Sequence, residues 1–109
     1  MIEVLRYVTK AGRDLIRDWL DGLHNPKAAA RIVMRIDRLT QENFGDCKPV
    51  GEGVWELRVD YGPGYRVYYA MVGRKCVLLL CGGDKRRQSA DIAEAINCLQ
   101  DYKQRTSEP

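Results

Sequence analysis

Residues 76 to 81 read Cys76-Val77-Leu78-Leu79-Leu80-Cys81, apolar without interruption, and they bound the fold more tightly than any other stretch. So short an apolar run, closed by Gly73 on one side and Gly82-Gly83 on the other, reads as a strand. A strand with no alternation is buried on both faces, so it is expected in the interior of a sheet and to end at the glycine pair. The preceding strands do alternate. Trp55, Leu57 and Val59 face one way and Val54, Glu56 and Arg58 the other; beyond a Gly62-Pro63-Gly64 turn, Tyr65, Val67, Tyr69 and Met71 oppose Arg66, Tyr68 and Ala70. With Val72-Gly73-Arg74-Lys75 as a second turn, these strands predict an antiparallel meander.

The rest of the chain supplies helices and one more strand. Met1 to Val8 carries the β-branched and aromatic residues of a first strand. From Ala11, Leu15, Ile16, Trp19, Leu20 and Leu23 recur at helical spacing, with Gly22 as terminator. Asn25-Pro26 starts a second helix, whose stripe is Ala29, Ile32, Val33, Ile36 and Leu39; Lys27, Arg31, Arg35 and Arg38 lie on another face, and Gly45 is the expected stop. So short a connection predicts an antiparallel helical hairpin. Asp46 to Gly53 reads as a loop. A third helix, from about Arg86 to Lys103, is marked by Ile92, Ala95, Ile96, Leu99 and Tyr102, and Gln104 to Pro109 as a polar, frayed tail. The order β-α-α-β-β-β-α predicts an α+β fold: a small, mainly antiparallel four-stranded sheet whose Trp55 and Leu57 face is covered by the helices, leaving Arg58 and Arg66 on an open face.

With 109 residues, 45% of them hydrophobic, a single domain spanning residues 1–109 is expected. No apolar stretch approaches a membrane span and the first residues lack a signal-peptide pattern, so a soluble cytoplasmic protein is expected. Cys47, Cys76, Cys81 and Cys98 form no CxxC pair, and the single histidine, His24, is remote from them, which argues against zinc. Cys76, Cys81 and Cys98 read as reduced core thiols and Cys47 as a loop residue. A formal charge of +3 is uninformative as a total, but cations gather at 27 to 38 and at 85 to 87.

Lys85, Arg86 and Arg87 stand where a helix begins, against the positive end of its dipole, at about 0.3 to 1 kcal/mol each. A bound anion would reverse that cost; a solvated turn would merely tolerate it. Arg58 and Arg66 could grip phosphate oxygens, and Tyr61, Tyr65, Tyr68 and Tyr69 could stack on unpaired bases. The plainer alternative pairs these arginines with Glu56 and Asp60 and gives Tyr65 and Tyr69 to the core. Trp19 and Trp55 read as core anchors, and His24 as a surface residue.

WELR, GPGYRVYY and LLLCGGDKRRQSADI, in that order, resemble the phage-derived addiction-module killer proteins, a HigB-like branch of the RelE/ParE toxin superfamily. The likeness covers nearly the whole chain. It implies a RelE-like fold and the toxin of a type II toxin–antitoxin module: a cytoplasmic mRNA endoribonuclease, dependent on the ribosome and on no metal or cofactor, that inhibits translation. The implied partners are an antitoxin, often of helix-turn-helix type, together with ribosome and mRNA; operator DNA would be met only through the antitoxin, and no membrane is involved. The resemblance puts Arg58, Arg66 and Lys85, followed by Gln88, on the active face, the first three as the catalytic residues; beside it, the residues themselves suggest Tyr61, Tyr68, Arg86 and Arg87, with Gln88, as RNA-binding. Asp91 is the acid that could assist where no general base is evident. Two other readings stand beside it: a ParE-like inhibitor of DNA gyrase, and a non-catalytic module that binds an acidic, antitoxin-like partner.

Overall fold

The computed structural model describes residues 1–107. Its elements are β1 (Glu3–Arg6), α1 (Leu15–Gly22), α2 (Pro26–Leu39), β2 (Cys47–Gly51), β3 (Val54–Val59), β4 (Tyr65–Gly73), β5 (Cys76–Asp84), a 3-10 turn at Lys85–Arg87, and α3 (Gln88–Ser107). The sheet order is β1-β5-β4-β3-β2. The fold is α+β, but the sheet has five strands and is mixed: β1 runs parallel to β5, while the other three junctions are antiparallel.

The strand absent from the expected order is β2, in the segment read as a loop. Pro49 and the flanking glycines suit an edge strand, because the free edge needs no donor from proline and a bulge falls between Pro49 and Gly51. The β2–β3 hairpin turns at Glu52 and Gly53, both at positive φ (54° and 85°), the conformation that tight hairpins require. Cys47 therefore lies in a strand.

Both early helices begin as their sequences dictate. Asp14 caps α1 by accepting from the Arg17 N–H at 3.1 Å, and Asn25 caps α2 by accepting from the Ala28 N–H at 3.1 Å. Their ends match expectation only in part. α1 ends at Gly22 as expected, but the left-handed residue that follows it is His24 (φ 54°); α2 ends at Leu39, well before Gly45, and the first left-handed residue after it is Glu42 (φ 63°). The buried line of α2 is Ala28, Ile32 and Leu39, with Ile36 beside it; Val33 turns outward.

The helices do not share one face. Beneath α1 and α2, a core of Leu57, Val59, Tyr65, Val67, Tyr69, Val77 and Leu79 meets Ile16, Ala28, Ile32 and Leu39. On the other face, Val54, Tyr68, Ala70, Leu78, Leu80 and Cys81 meet Ala95, Cys98 and Leu99 of α3. The face expected to be open is thus largely roofed by α3, which answers why β5 is apolar throughout. Each such aliphatic side chain contributes about 1.5–3 kcal/mol on full burial. The α3 end is further held by the Tyr7 hydroxyl, which donates to Asp101 at 2.5 Å, and by Arg105, 2.8 Å from the same carboxylate. Burial, then that hydrogen bond, push the Tyr7 phenol up to about 12.

α3 starts at Gln88 and runs to Ser107, so Gln104 to Ser107 are helical; Glu108 and Pro109 lie outside the described residues. No helix among the described residues is long and apolar enough to cross a membrane.

Gly82 and Gly83 do not end β5; they carry it to Asp84. Between Tyr68–Cys81 and Tyr69–Leu79 the β4–β5 register slips by one residue, leaving Leu80 as the bulged position. Beyond the bulge, a Cβ on Gly82 would run into the Trp19 indole of α1 and one on Gly83 into the Asp91 carboxyl of α3. The glycine pair lets helices approach both faces at adjacent residues. Gly82→Ala is expected to cost about 1–3 kcal/mol by overpacking in urea unfolding. Gly22→Ala, with nothing within 4 Å of its added methyl, is expected to be neutral or to stabilise by up to about 1 kcal/mol in the same assay.

Candidate functional site

Antiparallel pairing of β3 with β4 sets Glu56 opposite Tyr68 and Arg58 opposite Arg66. Strand alternation then puts all four side chains on the face that α3 roofs. Glu56 is 0% exposed. Its Oε2 accepts from the Tyr68 hydroxyl at 3.1 Å and from Gln88 Nε2 at 2.8 Å, and its Oε1 from Arg58 Nε at 3.3 Å. Arg66 Nε lies 3.4 Å from Oε2 as an ion pair. Burial alone would raise this carboxyl, but the donors from Gln88, Tyr68 and Arg58, with the Arg66 charge, together outweigh it and hold Glu56 below its ordinary value. Tyr68 is pushed well above the usual phenol range by burial and then by the Glu56 charge, so it stays protonated and donates to Glu56.

The two arginines differ in their freedom. Arg58, 37% exposed in its side chain, also reaches toward Asp46 at 3.9 Å. Arg66 is only 13% exposed; its Nε is engaged by Glu56 at ion-pair distance, and its buried Nη1 has no hydrogen-bond acceptor among the described residues. A buried guanidinium with donors to spare is organised to receive oxygen atoms. Arg66 Nη1 lies 3.7 Å from where a Cβ on Gly64 would stand, and the Lys85 backbone N–H donates to the Gly64 carbonyl at 3.1 Å. The Arg66 guanidinium and the Lys85 backbone therefore both lie against Gly64, and Lys85 is exposed.

The neighbouring cations are employed otherwise. Asp84 caps the 3-10 turn, accepting from the Arg86 backbone N–H at 2.9 Å and from Arg86 Nη2 at 2.8 Å. The hydrogen bond from Arg86 is the chief reason that the Asp84 carboxyl is held low. Arg86 and its turn N–H are thus engaged by an internal carboxylate, an outcome distinct from both the bound anion and the solvated turn. Arg87 is exposed, and its charge partly opposes the upward push that burial gives Asp91. Asp91 sits over Gly83, the register partner of Arg66, with Oδ2 buried and unpartnered.

The tyrosines assigned to base stacking are separated. Tyr68 is fully buried beneath α3 and offers no ring to a ligand. Tyr61 lies on the α2 side, its ring 5.2 Å from the Arg31 guanidinium. Tyr65 and Tyr69 are core residues, Tyr65 against Trp19 and Tyr69 between Phe44 and Trp55. The structure thus brings Arg58, Arg66 and Gln88 together on one carboxylate, sets the turn that bears Lys85 near them, and leaves Tyr61 out. Glu56, expected only as an arginine partner, is the centre of the arrangement. The alternation of β3 and β4 placed it on the right face, but nothing local announced its burial.

Residues 18–103 match the family described as "Phage derived protein Gp49-like (DUF891)". The chain belongs to the Gp49-like family. That match spans every residue of the Glu56 cluster, together with Lys85 and Asp91. A relative from Haemophilus influenzae, described as an uncharacterized protein, is 52% identical over 77 residues, covering 71% of this chain and 78% of its own. The Gp49-like family is RelE/toxin-like.

This Gp49-like site ties stability to the charge of Glu56. Glu56→Ala would leave two guanidiniums facing a buried void and is expected to cost about 3–5 kcal/mol in urea unfolding. Because the folded Glu56 value is lowered, its contribution is fully present above the unfolded-state value and is lost as pH falls through the folded one. The acid limb of the wild-type stability–pH curve should therefore be steeper than that of Glu56→Gln. Equal slopes would show that Glu56 does not carry the linkage.

Proposed function

We propose that this chain is the toxin of a type II toxin–antitoxin module and acts as a metal-independent endoribonuclease on mRNA held by the ribosome. One observation carries the reading: the Arg66 guanidinium, held by Glu56 through Nε at 3.4 Å and with Nη1 lacking an acceptor among the described residues, shares its sheet face with half-exposed Arg58 and lies near the turn that bears exposed Lys85. Such an array suits a phosphate whose charge grows during reaction. Family membership supports the toxin role.

In the proposed reaction the RNA 2′-oxygen attacks the adjacent phosphorus, the P–O5′ bond breaks, and a 2′,3′-cyclic phosphate and a 5′-hydroxyl result. Arg66 and Arg58 stabilise the non-bridging oxygens, and Lys85 supplies further charge or the proton for the leaving oxygen. Asp91 is the carboxyl we assign to proton removal, because it stands over Gly83, the register partner of Arg66, with Oδ2 unpartnered among the described residues, and burial raises it above the ordinary aspartate value. Glu56 positions the arginines and takes no proton. With Tyr68 buried and Tyr61 elsewhere, the site has little to hold a base, which is consistent with a substrate positioned by the ribosome.

Induced expression in a bacterial host should stop protein synthesis before DNA synthesis in pulse labelling. Arg66→Ala should lower message cleavage in a translating extract by about a hundredfold or more. Intact message with both proteins would sink the nuclease assignment, and early loss of DNA synthesis would move the target to gyrase. As a base, Asp91 must be ionised, so wild-type cleavage should fall as pH drops through its raised value; Asp91→Asn should be slower and lack that acid limb.

A further inference from the structure

The outer face of α2 carries a second organised surface, on the side of the sheet away from the Glu56 cluster. Lys27, Arg31, Met34 and Arg38 are all exposed, Met34 by 51%. Their spacings of four, three and four residues place them in one line along the helix, about 16 Å long at a rise of 1.5 Å per residue. Tyr61 flanks the line with its ring against Arg31, and a groove of about 150 Å³ opens between Met34, Arg38 and Tyr61 above Val59.

Two features separate this surface from an ordinary solvated face. The first is its unpaired charge. Arg17 of α1 and Arg105 of α3 are each paired with a carboxylate four residues away, whereas among the described residues no ion pair engages Lys27, Arg31 or Arg38, so three unneutralised cations stand on one line of one helix. Asp60 also lines the groove, yet it pairs with none of them. The second is rigidity. Arg35, on the inner side of the same helix, donates to the backbone carbonyls of Phe44, Asp46 and Arg58, so the turn of α2 that bears Met34 is tied to β3 and to the segment before β2.

We infer that this face docks an acidic amphipathic helix of a protein partner, its carboxylates meeting Lys27, Arg31 and Arg38 and one apolar side chain seating on Met34 and Tyr61. Charge complementarity selects an anionic occupant, and the spacing matches the four-three repeat by which one helix packs along another. An exposed methionine at the centre of the cationic line favours a peptide with an apolar anchor over a nucleic-acid backbone, which would need only the cations. The inference deepens the toxin reading by naming where a protein partner docks, and it rests on that reading for the partner's role alone.

The test uses a fluorescein-labelled helical peptide of about 21 residues, with glutamates at four-three spacing around one leucine, and a twin with lysines for the glutamates. Oligouridine is the third probe. Anisotropy should show that the acidic peptide binds the full chain and the lysine twin does not, with affinity falling as salt rises. R31E/R38E should weaken the acidic peptide by about tenfold or more and gain affinity for the lysine twin, while M34A weakens it without that exchange. Circular dichroism melting establishes that both variants fold. Arg66→Ala, on the opposite face, should bind the peptide as wild type does, so failure of the nuclease reading and failure of this docking surface are distinguishable. Absent peptide binding, binding indifferent to R31E/R38E, or oligouridine binding lost in R31E/R38E without any peptide binding would overturn the inference. So would self-association in sedimentation that R31E/R38E abolishes, which would give the face to a second copy of the chain.

Discussion

A single buried carboxylate, Glu56, joins the fold to its candidate chemistry. It reaches β4 through Tyr68 and Arg66, the start of α3 through Gln88, and its own strand through Arg58. An isolated charge at such depth would be prohibitively costly, and its donors make it tolerable. The dependence is mutual. Without the carboxylate the guanidiniums would repel one another and lose their common orientation, so the same contacts that stabilise the α3 interface also aim the cations.

The placement of α3 depends in turn on a dipeptide with no side chains. The bulge at Leu80 turns Gly82 toward Trp19 and Gly83 toward Asp91, so α1 and α3 press on opposite faces of one strand at successive residues. Substituting a larger residue would force either helix away. Because Gly83 is also the register partner of Arg66, the close approach of α3 brings Asp91 beside the cluster as well as closing the second core. Packing and site geometry therefore share one structural cause. The α2 surface is arranged separately, with Arg35 spent on backbone carbonyls and its exposed neighbours left unneutralised.

Much of this was legible residue by residue. Asn25-Pro26 announced α2, the Gly62-Pro63-Gly64 turn joined β3 to β4, and alternation assigned both faces of those strands correctly, including the shared face of Glu56, Arg58, Arg66 and Tyr68. Other features were misread for identifiable reasons. Pro49 and its glycines made β2 look like a loop because edge strands tolerate residues that interior strands reject. Gly82-Gly83 looked like a terminus because glycine marks both chain reversal and close packing, and only the neighbouring helix distinguishes them.

The sequence by itself determined which side chains share a strand face and which residues form helices, since periods of two and 3.6 are local properties of the backbone. It also placed a cationic segment after β5. Only the tertiary structure decided that α3 crosses to the face away from α1 and α2, that β1 joins β5 in parallel, and that Tyr61 leaves the cluster for α2. Those outcomes depend on contacts between residues distant along the chain. Whether Tyr68 is a stacking platform or a buried donor, and whether Glu56 is a surface acid or the centre of a site, is settled by what lies above them, and no local pattern encodes that.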